Sequence, residues 1–116
     1  MTPALRANVG ASLAAFVTWL ARNPIDGDHH YGASSVRYQV SRYCDYLHTN
    51  PWPGGDPLRD ARARDGAAGA YSVYLDTFNS SPATIDLVLA SLDHFYVFLG
   101  LGRITIARPA AVASVG

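Results

Sequence analysis

The sequence predicts an all-α domain, a compact bundle of four main helices, and three observations carry that expectation. Apolar residues recur at spacings of three and four in four separate stretches. Each stretch runs into a proline, glycine or asparagine that breaks it. No alternating run of useful strand length lies between them. A chain of 116 residues is long enough for one modest core, so a single domain is expected over 1–108. Residues 109–116, rich in Ala, Val and Ser, read as a linker or frayed tail.

In the first helix Leu5, Val9, Leu13, Phe16 and Leu20 form the stripe, after a Thr2-Pro3 start and up to about Arg22. Asn23-Pro24 ends it, because the residue before a proline is pushed out of helical geometry. Ile25 to Gly32 is a polar turn. The second helix opens at Ser34 or Ser35 and buries Val36, Val40, Tyr43 and Leu47. The loop from Asn50 to Pro57 holds three prolines and two glycines, and its Trp52 is expected to fold back on the core.

Asp60 or Asp65 caps the third helix, which includes Ala67, Ala70, Tyr71, Tyr74, Leu75 and Phe78. Gly66 and Gly69 there predict a ragged start or a close helix approach. The fourth helix is the most legible. Ser81 is its N-cap, Pro82 stands at the first helical position, and Ile85, Val88, Leu89, Leu92, Phe95 or Tyr96, and Leu99 form one broad stripe. Gly100 and Gly102 can take the positive φ that ends it. Residues 103–108 read as a short extended arm.

Composition excludes several classes. With 49% hydrophobic and 16% charged residues the chain is not disordered. Its formal net charge is zero, so no bulk basicity argues for nucleic acid. All nine cations are Arg, however, and Arg can fork onto phosphates and guanine edges. Cys44 is alone, which excludes an internal disulfide and makes a reducing, cytoplasmic setting the expectation. The apolar run 9–21 is too short to span a bilayer and lacks a basic leader, so no membrane partner is expected.

Catalytic chemistry has thin support. Asp26, Asp28, His29 and His30 share one loop, but adjacent histidines on a loop rarely converge on one ion, and a solvated turn is the plainer reading. Cys44 has His48 one helical turn on, yet nothing positive is sure to activate the thiol, and a structural cysteine is the plainer reading. No nucleophile elbow, phosphate-cradling loop or paired-carboxylate motif occurs. The expectation is no cofactor, no metal and no active site within this chain.

Binding is better supported. Arg37 and Arg42 with Tyr38 and Ser41 on the second helix, Thr84 and Ser91 with His94 on the fourth, and Arg59, Arg62 and Arg64 before the third can all hydrogen-bond phosphates and bases. Each taken singly reads as an ordinary surface residue, and the arginines could equally pair with Asp45 or another surface acid.

Several blocks follow one another in a familiar order: Ser35-Val36-Arg37, Arg42-Tyr43-Cys44-Asp45-Tyr46-Leu47, Asp56-Pro57-Leu58, Ala70-Tyr71 with Tyr74-Leu75, Ser81-Pro82-Ala83-Thr84-Ile85, and Leu92 through Gly102. Over about residues 9–108 this resembles the N-terminal, SAM-like core-binding domain of tyrosine recombinases, closest to integrases of actinobacterial mobile elements. The resemblance implies a helical bundle that clamps duplex DNA while a separate C-terminal domain of the same recombinase does the chemistry of integration, with neighbouring recombinase subunits as further partners.

It also implies that the second and fourth helices face the major groove. The DNA-facing candidates are then Ser34, Ser35, Tyr38 and Ser41, beside Arg37 and Arg42, and Ala83, Thr84, Leu87, Ser91 and His94. Where relatives commonly carry Asn-Arg-Arg, this chain has Asp86-Leu87-Val88, which strips the fourth helix of phosphate partners. The family's catalytic tyrosine belongs to the other domain, so none of the seven tyrosines takes that role. The rival expectation is a helical protein–protein module that has lost DNA binding, with Leu87, Val97 and Phe98 as its apolar patch. The DNA reading depends on the two helices packing their apolar sides together and leaving a shared outer surface.

Overall fold

The structure is a computed structural model that describes residues 3–23 and 33–106. It is all-helical among the described residues: α1 spans Pro3–Arg22, α2 Ala33–Thr49, α3 Ala61–Thr77 and α4 Pro82–Phe98. The turn holding Asp26 to His30 and the tail 109–116 lie outside the described residues. No described helix is long and apolar enough to cross a membrane.

The helices form where local sequence and burial agree. Val36, Val40, Tyr43 and Leu47 of α2 are buried, as are Ile85, Val88, Leu89, Leu92, Phe95 and Tyr96 of α4. These two stripes meet, so α4 packs most extensively on α2. Deep in the core the hydroxyls of Tyr43 and Tyr96 share a 2.7 Å hydrogen bond, which satisfies two groups that burial would otherwise penalise. From α1, Phe16 sets its ring against Phe95 (5.3 Å, edge-on) and Phe98 (5.6 Å), and Trp19 covers Phe98. That aromatic cluster closes the α1 side of the bundle.

The helix ends explain the connections. Ser81 Oγ accepts from the Thr84 amide at 3.1 Å, and Pro82 follows at the first helical position. At the far end Leu101 N–H bonds back to the Tyr96 carbonyl and Gly100 N–H to Val97, with Gly100 at φ 81°. That is a Schellman closure. The same pair of bonds ends α3, from Ser80 to Leu75 and from Asn79 to Asp76, with Asn79 at φ 64° in place of glycine. Asp60, not Asp65, caps α3 by accepting from the Ala63 amide at 3.0 Å.

One expectation is corrected around α3. Its start is not ragged, and Gly66 admits no neighbouring helix. Instead the Trp52 indole lies on Gly66, so close that a Cβ there would fall 2.3 Å from Trp52 Cζ2. The proline-rich loop is thereby folded back on the bundle, as its tryptophan predicts. The short extended arm expected beyond Gly102 is held against the bundle as far as Ile106. Ile104 is buried, and its amide donates to Asp93 Oδ1 at 2.8 Å. Asp65 accepts from both the amide and the hydroxyl of Thr105, and Arg64 donates to the Leu101 carbonyl. The segment is strapped to α3 and α4.

Candidate nucleic-acid interface

On α2 the candidate residues flank the buried stripe. Ser34, Arg37, Tyr38 and Arg42 are exposed, and Ser35 and Ser41 are half-buried. Tyr38 keeps 55% of its surface open to solvent. Arg42 is not free to swing: its Nη1 donates to the Tyr38 hydroxyl at 3.1 Å and its guanidinium lies 5.7 Å from the Tyr38 ring centre. Among the described residues neither Arg37 nor Arg42 forms an ion pair, Asp45 included.

Two adjoining shallow grooves run beside this helix and share Val17, Ser34 and Arg37. Leu20 and Ala21 of α1 complete one, and Leu13, Tyr38 and Ser41 complete the other. No carboxylate lines either groove among the described residues. On the opposite flank Arg42 sits in a third groove with Asp45, Tyr46, Thr49, Asn50, Tyr71 and Tyr74, which α3 completes.

The α4 candidates behave differently. Ala83 and Thr84 are exposed in the first turn, and Leu87 and His94 are half-buried. Ser91 is fully buried, its hydroxyl donating to the Leu87 carbonyl at 3.1 Å, so the expectation that it faces outward is corrected. The helix carries no cation along its length, and Asp86 is half-buried. The grooves beside the α2 candidates are completed by α1 and α3.

Comparison of the chain with protein-family models, with curated proteins and with solved structures finds no match.

The three arginines expected ahead of α3 also divide. Arg62 is exposed, and Arg59 is exposed beside Asp56 at 3.7 Å. Arg64 is buried inside α3, where it grips Asp65 through two nitrogens at 2.9 and 3.1 Å. It is a structural group and not a phosphate ligand. Its hydrogen bond, helped by those from Thr105, holds the Asp65 carboxyl down to about 2.

Cys44 is buried, and desolvation with the nearby Asp45 charge pushes its thiol up to about 12. It stays protonated at neutral pH, which fits a core residue and not a nucleophile.

What sequence reasoning missed is the part that α1 plays. Leu13 reads as core and Val17 is not singled out by the periodicity, yet both line the groove beside Arg37. The one available signal is that Val17 is an apolar residue outside the apolar stripe of α1, four residues after Leu13.

Proposed function

We propose that this domain binds duplex DNA as the core-binding part of a site-specific tyrosine recombinase, positioning a separate catalytic domain. The observation that carries the reading is the exposed flank of α2, where Arg37 stands without an acidic partner among the described residues beside Ser34, Tyr38 and Ser41. These groups donate to phosphates and base edges, and among the described residues no carboxylate lines the groove beside Arg37. The order of sequence blocks supplies the recombinase assignment. A neutral domain releases few counterions, so affinity is expected in the micromolar range or weaker and steeply dependent on salt.

The test is fluorescence anisotropy of a labelled mixed-sequence duplex at low salt. Saturable binding is expected, weakened strongly in Arg37→Ala with Arg42→Ala. Absence of binding at high micromolar protein, or an unchanged curve for the double variant, contradicts the reading.

A second reading, contact with another protein, is favoured by a different place than the sequence suggests. Phe98 is covered by Phe16 and Trp19, and Leu87 is half-buried, leaving Val97 exposed from the expected patch. The larger apolar exposure is on α3 and its C-cap, at Val73 (66%) and Phe78 (67%). Sedimentation that shows dimers without DNA, abolished by Phe78→Ser, would favour this reading over the first.

A further inference from the structure

Resting on the DNA reading, we infer that Arg42 reads a guanine in the major groove, and that Tyr38 is the residue that positions its guanidinium for that contact.

An arginine meets DNA in two ways. A phosphate ligand needs charge and reach but little fixed direction. A base reader must present two N–H donors in one plane to the O6 and N7 of a guanine. The exposed arginines sort on that difference. Among the described residues no hydrogen bond or ion pair holds Arg22, Arg37, Arg62 or Arg103, and Arg59 lies beside the Asp56 carboxylate at 3.7 Å. Arg42 is the described exposed arginine that an uncharged group holds. Its Nη1 donates to the Tyr38 hydroxyl at 3.1 Å, while its guanidinium lies 5.7 Å from the Tyr38 ring centre. A hydroxyl and a ring one turn back thus restrain the fork at two points. The bond uses one donor on Nη1, which leaves the edge formed by Nε and Nη2 for a ligand. Fixing a side chain before binding removes part of its ordering cost, and a directional contact gains most from that.

The surroundings favour a neutral edge over a phosphate. Asp45, about one turn further along α2, lines the same groove as Arg42 without forming an ion pair with it. A carboxylate there repels a charged phosphate far more than the uncharged acceptors of a base. Tyr38 and Arg42 are both exposed on α2, the helix that the recombinase reading turns toward the major groove. Arg37 has neither a described tether nor a described carboxylate in its grooves, and so suits a phosphate.

The test separates charge from readout. Short labelled duplexes, randomised at the centre, are selected on the immobilised chain and sequenced. Single-position variants of the selected duplex are then titrated by anisotropy over a salt series, with folding checked by circular dichroism. The native chain is expected to favour guanine at one position about tenfold over the other bases. Arg42→Lys keeps the charge and loses the fork, so that preference should fall to about twofold or less with the salt slope unchanged. Tyr38→Phe keeps the ring and loses the accepting hydroxyl. It should cut the guanine preference about threefold and change binding to a duplex lacking that guanine by less than about twofold, a split that a merely structural tyrosine would not give. Arg37→Ala should weaken all sequences alike and flatten the slope of log K against log salt by about one. If the native chain binds but selects no guanine, or the preference survives Arg42→Lys, the assignment of Arg42 is overturned while the DNA reading stands. A preference untouched by Tyr38→Phe overturns the positioning role of Tyr38. If the native chain binds no duplex at all, the DNA reading itself falls.

Discussion

Single residues decide how the end of the described chain is held. Asp65 reads in the sequence as a possible cap for α3, since an aspartate before a helical run accepts from first-turn amides. Asp60 performs that task, which frees Asp65 to accept from Arg64 and Thr105. Nothing local could reveal this, because Thr105 lies 40 residues away. The bond network holds the Asp65 carboxyl at about 2, below its ordinary 3.8. A carboxyl lowered on folding stabilises the native state above its unfolded value and loses that contribution as pH falls through its folded value. Asp65→Asn is therefore expected to cost about 1–3 kcal/mol at pH 7. The gap to the native chain should close as pH drops from about 4 to about 2. Urea denaturation across that range measures it, and a gap that stays constant with pH would show that the charge is not what holds the strap.

Whole elements were legible where periodicity is local. Val9, Phe16 and Leu20 of α1 and the apolar stripes of α2 and α4 bury as their spacing predicts, and Ser81-Pro82 and Gly100 bound α4 through cap geometry contained within a few residues. The third helix was less legible, because what its glycines do depends on a loop that packs from outside. Gly66 carries the Trp52 indole, whereas Gly69 has nothing within 4 Å of where a Cβ would stand. These two positions in one helix should therefore respond in opposite directions to the same change. Gly69→Ala should stabilise by up to about 1 kcal/mol through helix propensity. Gly66→Ala gains the same propensity but drives a rigid indole off its seat, at a cost of about 1–3 kcal/mol, so the net effect is destabilising. Thermal melts give the signs, and a red-shifted tryptophan emission in Gly66→Ala alone would report the displaced Trp52. Equal stabilisation by both would mean that the loop does not rest on α3.

At the scale of the molecule, sequence patterns identified which face of each helix turns inward but not how the outward faces combine. That depends on the mutual rotation of helices far apart in sequence, which is why the contribution of α1 to the grooves beside α2 went unseen. The same packing gives the bundle a marked response to alkali. Burial pushes the Cys44 thiol up to about 12, and burial with the neighbouring hydroxyl raises Tyr43 well above its ordinary 10.0. Tyr96 is raised too, by burial, although its bond to Tyr43 works the other way. The sign follows from proton counting: above the ordinary values the unfolded chain sheds these protons while the folded chain keeps them, so stability must fall as pH rises. Urea midpoints are expected to hold steady to about pH 8.5 and to decline from about pH 9 upward, steepening past about 10 as the tyrosines join. Cys44→Ala should remove the earlier part of the decline and leave the later part. A midpoint that stays level to pH 11 would mean that these groups are hydrated in the folded chain, and that the core joining α2 to α4 is not the dry contact described for it.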